Sequence, residues 1–152
     1  LYRSVETWFG SWAALGVSSL VFGLSHLANP QATLEGAPVI AVEAGILLGA
    51  AVMLTRQLWL GIGFHMAWNY TQSAIFSGIV SGNDAEAGWI RSTVKGPDYL
   101  TGGQFGVESS VLALVLCTAT GIVMLVMAHR RGLVVPPIWK RTSSQRFTSA
   151  TE

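Results

Sequence analysis

The sequence predicts an all-α membrane protein, a polytopic helix bundle with about four transmembrane helices. Only 11% of the 152 residues are charged, whereas soluble domains carry about 25%, and the mean hydropathy is +0.48. The apolar residues also gather into four stretches of about the 20 residues that a bilayer requires. These stretches are residues 11–28, 37–55, 58–80 and 107–128, and of the charged residues they contain only Glu43 and Glu108. The net charge of +1 gives no reason to expect nucleic-acid binding.

The loops predict the orientation and the domain organisation. With the amino end inside, seven Lys and Arg residues lie in the cytoplasm and two, Arg91 and Lys95, lie outside, as the positive-inside rule requires. We expect one membrane domain over residues 1–128 and a basic, disordered cytoplasmic tail over residues 129–152. The start at Leu1 has no initiator Met and no signal-peptide features, which predicts an upstream segment. The expected location is the bacterial cytoplasmic membrane, with lipids as partners.

The predicted site consists of polar side chains inside the apolar stretches. Ionisable groups in hydrocarbon are costly, so each of them is a functional candidate. His26 lies four residues after Phe22, and Asn69 lies four residues after His65. Residues at this spacing share one face of a helix. Two imidazoles and a carboxamide therefore predict a polar site within the bundle, although a single intramembrane histidine also serves to join two helices.

Other residues in these stretches have simpler expected roles. Glu43 has no partner at helical spacing on its own helix, and we expect a neutral or hydrogen-bonded structural carboxyl. Glu108 begins the last stretch, where a carboxylate favours a helix amino terminus. His129 adjoins two arginines at the membrane edge and is expected on a solvated basic face. Gly45 and Gly49 are spaced for close helix packing.

At these residues the sequence resembles the CPBP family, the intramembrane proteases related to the type II CAAX prenyl endopeptidase and to bacterial bacteriocin-immunity proteins. Phe22–His26 matches the family's Phe-x-x-x-His motif, and His65–Asn69 matches its His-x-x-x-Asn motif. The family's Glu-Glu-x-x-x-Arg motif has no counterpart and by the family's layout would precede Leu1. The resemblance implies an intramembrane endopeptidase that is inactive as this fragment. Its substrate would be a membrane-presented peptide or a prenylated protein.

The resemblance also implies a role for each motif residue. His26 and His65 become the residues that activate a water molecule or ligate a metal, and Asn69 becomes the oxyanion donor. The implied cofactor is Zn or another divalent metal. Catalytic Zn typically has three protein ligands, so two histidines leave one missing. Two alternatives stay open, a non-enzymatic membrane scaffold or immunity protein and a haem-binding protein with two histidine ligands.

The relative depth of the two histidines conflicts with a shared site. By the rise per residue of a helix, His26 lies near the outer end of its stretch and His65 nearer the inner end of its own. Either residues 29–38 dip back into the protein, which buried irregular backbone permits, or the predicted limits of the stretches are displaced. If neither holds, the shared site is wrong.

Overall fold

The computed structural model describes residues 1–32, 36–84 and 87–141. Within these ranges the chain is helical, and its extended pairing is limited to an isolated bridge between Val80 and Asn83. The predicted all-α bundle is thus confirmed. Its α-helices are α1 (Tyr2–Ser25), α2 (Gly36–Thr55), α3 (Trp59–Tyr70), α4 (Asp98–Thr101) and α5 (Val111–Arg130).

Three helical stretches among the described residues are long and apolar enough to cross a bilayer. They are Tyr2–Ala28, Gly36–Thr55 and Val111–Arg130, and they correspond to the first, second and fourth predicted stretches. The third predicted stretch, residues 58–80, forms the 12-residue α3 and a π-helical turn over Thr71–Ile75 before the helix ends. The chain is accordingly an integral membrane protein, and in its described part each of the four predicted stretches contains a helix, the third of them short.

The outer faces of the long helices are apolar and exposed, while their inner faces share one core. Leu116 and Val123 on α5, for example, are each 58% exposed, as expected for side chains that meet lipid. The core joins α1, α2 and α5 and comprises the buried side chains of Tyr2, Ala14, Leu15, Val52, Met53 and Ala128.

Helix α1 is broken at Gly10, where the chain after α5 packs against it. Gly10 has φ 83° and ψ 172°, and a Cβ at this position would lie 2.8 Å from the nitrogen of Pro137. The next backbone N–H, that of Ser11, donates to the carbonyl of Val135 at 2.9 Å. Arg141 is buried and donates to two carbonyls of α1. The rest of the predicted tail, residues 142–152, lies outside the described residues, and its disorder stays a prediction.

Small residues let α1 and α2 approach closely. A Cβ at Gly23 would lie 2.5 Å from the carbonyl oxygen of Ala37, and one at Gly45 would lie 2.8 Å from Ser19. Helix α2 contains a π-helical turn over Ala41–Gly45 at this contact. The close approach therefore packs the carboxyl end of α1 against the π-helical turn of α2.

Candidate functional site

His26 lies at the carboxyl end of α1, in a 3₁₀ turn over His26–Ala28. Its Nδ1 is 2.7 Å from the carbonyl oxygen of Phe22, four residues earlier. A carbonyl can only accept a hydrogen bond, so Nδ1 carries the proton in this contact. In the neutral ring Nε2 is then the nitrogen that can accept a proton or bind a metal.

His65 lies in the middle of α3 and pairs with Asn69 on the same helix face, as the spacing predicts. Asn69 Nδ2 donates to His65 Nε2 at 3.2 Å. In the neutral imidazole of His65 the proton is therefore on Nδ1. Asn69 Oδ1 is buried and has no hydrogen-bond partner among the described residues.

Phe22 brings the two histidines together. Its ring centroid is 4.8 Å from that of His26 and 5.4 Å from that of His65, which it meets edge-on at 86°. Both imidazoles line one small cavity. The space accessible to the centre of a water molecule there is about 20 Å³, room for about one water.

Irregular backbone closes this region, and both histidines line the cavity despite the predicted difference in their depth. Asn29 Nδ2 donates to the carbonyl of Ser81 at 2.6 Å, and the N–H of Gln31 donates to the carbonyl of Gly82 at 2.9 Å. Ser81 and Gly82 are both buried. Irregular backbone is tolerated inside a membrane protein when the protein buries it and satisfies its hydrogen bonds. The helical run through α3 begins where the third stretch was predicted to begin, but it ends at Ile75 rather than at residue 80.

Glu43 is the first of two acidic side chains that line the cavity with the histidines. It lies on the π-helical turn of α2 and is 2% exposed. Its Oε2 has no hydrogen-bond partner among the described residues. Single π-helical turns within α-helices often occur at functional sites. The expected structural role of Glu43 does not explain why its Oε2 lacks a partner.

Glu108 is the second acidic side chain, and the sequence predicted its place at a helix start but not its contacts. It was expected as a charge at a helix start, but it is 4% exposed and faces the cavity. Trp68 Nε1 and Gln72 Nε2 donate to its Oε1 at 2.9 and 3.3 Å, and Ser81 Oγ donates to its Oε2. The cap of α5 is instead Ser110, whose side chain accepts a backbone N–H of the first turn.

Two larger spaces adjoin the cavity. We call the first the vestibule; it measures about 220 Å³ and is mainly polar, with lining residues Ser25, His26, Asn29, Asn69, Val80, Ser81 and Asn83. We call the second the groove; it measures about 330 Å³, is almost wholly apolar and lies between α1, α2 and α3. The cavity shares His26 and Ser81 with the vestibule, and Phe22, Leu48 and His65 with the groove.

The metal role of His26 and His65 lacks a complete ligand set in the described part of the chain. No three Asp, Glu, His or Cys side chains lie close enough there to hold an ion, whereas catalytic Zn typically takes three protein ligands. Metal binding by the two histidines stays a prediction.

Residues 1–71 match a family model described as Type II CAAX prenyl endopeptidase Rce1-like. No curated protein and no solved structure matches the chain significantly. The matched stretch contains both histidine motifs and Glu43, while Glu108 lies beyond it. Over residues 1–71 the chain is therefore similar to the type II CAAX prenyl endopeptidase Rce1-like family.

Proposed function

We propose that this protein is an intramembrane endopeptidase that hydrolyses a peptide bond of a membrane-presented substrate. One observation carries the proposal: two imidazoles from separate helical segments line a single cavity of about the size of one water, beside a polar vestibule. Hydrolysis inside a bilayer needs such a secluded water next to a proton acceptor. The similarity of residues 1–71 to the type II CAAX prenyl endopeptidase family model supports the same reaction class.

His26 is the proposed proton acceptor. Its Nδ1–H is held by the carbonyl of Phe22, which fixes the ring and leaves Nε2 to accept a proton from water. The water oxygen bonds to the substrate carbonyl carbon as the proton passes to Nε2. The carbon–nitrogen bond then breaks, and the proton moves from His26 to the leaving amine. His26 lines both the cavity and the vestibule, which suits contact with water and with substrate.

Asn69 is the proposed donor to the oxyanion that develops on the substrate carbonyl. Its side chain lines the vestibule, and its Nδ2 carries two hydrogens. One hydrogen is given to His65, and the second is left for the substrate. The acceptor nitrogen of His65 holds the amide in place, so that the donor is oriented before charge develops. His65 thus positions Asn69 and shields the cavity from the groove.

The shapes of the two larger spaces favour an amphiphilic substrate. An apolar chain fits the groove, where Leu48, Ile62 and Met66 are among the lining side chains. A polar peptide segment fits the vestibule, whose lining includes four amide or hydroxyl side chains besides Asn69. His65 lines the groove and His26 lines the vestibule. A peptide bond between the apolar and the polar part of such a substrate would therefore lie next to these two histidines. We therefore propose a lipid-modified peptide, such as a prenylated one, in the bacterial cytoplasmic membrane.

Cleavage of defined peptides by the complete protein tests this proposal. The substrates are a quenched fluorescent peptide with an S-farnesyl cysteine and the same peptide unmodified, in lipid nanodiscs. We expect His26→Ala, His65→Ala and Asn69→Ala each to lower kcat/KM by about 100-fold or more. His129→Ala, at an exposed position on α5, is the matched control and is expected to keep wild-type activity.

The other outcomes of these measurements test the catalytic roles, the alternative function and the predicted metal. Undiminished cleavage by His26→Ala and His65→Ala would contradict the catalytic roles. A folded wild-type protein that cleaves neither peptide would favour the scaffold or immunity alternative. The zinc content of wild type and His26→Ala, measured on the same samples, tests the predicted metal: zinc bound by wild type and lost from the variant would support it.

A further inference from the structure

The side chain of Glu43 has an oxygen that nothing in the described part of the chain satisfies. Glu43 is 2% exposed, and its Oε2 has no hydrogen-bond partner there. Buried polar oxygens in proteins almost always have a partner, either protein or ordered water. An unsatisfied oxygen on the wall of a cavity therefore points to something that binds in that cavity.

The cavity beside Glu43 suits a single water molecule. Its accessible space is about 20 Å³, which exceeds the roughly 10 to 15 Å³ that one water needs. A buried water also requires about two to four polar partners. Two such partners besides Glu43 line the cavity, His26 and His65. The contact between His26 Nδ1 and Phe22 leaves His26 Nε2 as an acceptor, and the contact between Asn69 and His65 Nε2 leaves His65 Nδ1–H as a donor.

We propose that Glu43 and His26 hold one water in this cavity, which donates one O–H to Glu43 Oε2 and the other to His26 Nε2. Both hydrogens of the water are then engaged, and a lone pair of its oxygen is left for attack. The identity of this molecule as the hydrolytic water rests on the proposed function. Its binding by Glu43 rests on the cavity and the unsatisfied oxygen.

The role of Glu43 in the reaction is to orient the water while His26 takes the proton. The oxygen–carbon bond forms as the O–H facing His26 gives its proton to Nε2, and the electrons of the carbonyl move to the substrate oxygen. When the carbonyl re-forms, the carbon–nitrogen bond breaks and His26 returns the proton to the amine. Glu43 accepts the second O–H throughout. This role requires an acceptor oxygen but no negative charge. Glu43→Gln is therefore expected to keep the water bound.

The test compares wild type with Glu43→Gln, which keeps an acceptor oxygen, and Glu43→Met, which has similar size and none. The first measurement is a crystal structure of each protein, grown from a lipid phase, at a resolution that shows ordered water. We expect a water within about 2.6 to 3.2 Å of the acceptor oxygen at position 43 and of His26 Nε2 in wild type and Glu43→Gln. We expect no such water in Glu43→Met.

The second measurement is cleavage of the farnesylated and unmodified peptides. Glu43→Met is expected to lower kcat by about 100-fold with KM unchanged, and Glu43→Gln is expected to lower kcat less than Glu43→Met does. The melting temperature of each variant shows whether a loss of activity comes from unfolding.

The possible outcomes separate this inference from the proposed function. A dry cavity in wild type, or a water that contacts neither Glu43 nor His26, would overturn the inference even if the peptides are cleaved. A loss of activity in Glu43→Gln as large as that in Glu43→Met would also overturn it, since a carboxylate would then be required. An ordered water without any cleavage by wild type would support the water site and overturn the proposed function.

Discussion

Trp68 Nε1 donates a hydrogen bond to Glu108 Oε1 at 2.9 Å, and this contact ties α3 to the turn that precedes α5. Trp68 lies one helical turn after His65. The same carboxyl group accepts from Gln72, on the π-helical turn after α3, and from Ser81, in the loop that closes the site. Glu108 thus joins three parts of the chain around the cavity and is a positioning residue for the face of α3 that carries His65.

Replacement of Trp68 by Phe tests the strength of this contact. The change keeps an aromatic ring but removes the N–H donor, so one oxygen of a buried carboxyl group loses its best partner. We expect the free energy of unfolding to fall by about 1 to 3 kcal/mol, measured by denaturant titration in micelles. Trp59→Phe is the control, because Trp59 is 76% exposed and its loss should change stability by less than about 0.5 kcal/mol. Equal effects of the two substitutions would contradict the assignment.

Replacement of Glu108 by Gln tests its positioning role. The amide keeps one acceptor oxygen, but its NH₂ group faces a donor that the carboxyl group had satisfied. We expect the face of α3 to shift and kcat for peptide cleavage to fall by about 10- to 100-fold. The ¹⁵N resonances of the His65 imidazole should move as well, which a general loss of stability would not cause.

Asp84→Asn is the matched control for Glu108→Gln. Asp84 also accepts a side-chain hydrogen bond, from Gln31 Nε2 at 2.7 Å, but it is exposed. Cleavage and the His65 resonances should therefore stay as in wild type. If Glu108→Gln left the His65 resonances in place, the carboxyl group would have no role in holding this face.

The parts of the fold and site that the sequence predicted are those that local geometry determines. Helical periodicity alone places Phe22 beside His26 and His65 beside Asn69, because residues four apart share a face. The apolar stretches likewise predicted the three long helices, since span length depends on composition. That the two motifs meet at one cavity was expected from the cost of polar groups in hydrocarbon and from the family resemblance.

The contacts of Glu108 were not predicted, because its partner Trp68 is 40 residues away. A weak signal was present in the spacing i, i+3, i+4, i+7 of one helix face. Polar side chains with this spacing form a stripe on α3 and the π-helical turn after it: His65, Trp68, Asn69 and Gln72. The early end of the third helical run was missed because composition alone does not register turn-forming residues. Ser77 there adopts a positive φ of 52° and is followed by a glycine, a pairing typical of turns.

Replacement of Gly23 by Ala tests the close contact of α1 with α2. The new Cβ would lie 2.5 Å from both the carbonyl oxygen of Ala37 and the Cβ of Ala41, so the helices must move apart. We expect a loss of about 1 to 3 kcal/mol in the free energy of unfolding. Peptide cleavage should also fall, because His26 follows directly on this part of α1.

Gly16→Ala is the control on the same helix. A Cβ at Gly16 meets nothing within 4 Å, and alanine favours a helix over glycine by up to about 1 kcal/mol. The two substitutions should therefore change stability in opposite directions, as measured by denaturant titration in micelles. A loss of stability in Gly16→Ala as large as that in Gly23→Ala would show that steric contact with α2 is not the cause.

Replacement of Arg56 by Ala tests the ion pair that joins the start of α1 to the end of α2. Arg56 Nη1 and Nη2 donate to the two carboxylate oxygens of Glu6 at 2.8 and 2.7 Å, and Ser11 Oγ donates to the same group. Glu6 is buried, but the Arg56 side chain is 40% exposed, so solvent weakens the pair. Removal of Arg56 leaves a buried carboxylate without its cation, and we expect a loss of about 2 kcal/mol in the free energy of unfolding.

Two further substitutions serve as comparisons for Arg56→Ala. Arg56→Lys keeps the positive charge, but an ammonium group cannot form the two parallel hydrogen bonds of a guanidinium group. Its loss in the free energy of unfolding should therefore lie between zero and that of Arg56→Ala. Exposed Arg91 supplies the control: if Arg91→Ala destabilised the protein as much as Arg56→Ala, the effect would come from lost net charge and not from this pair.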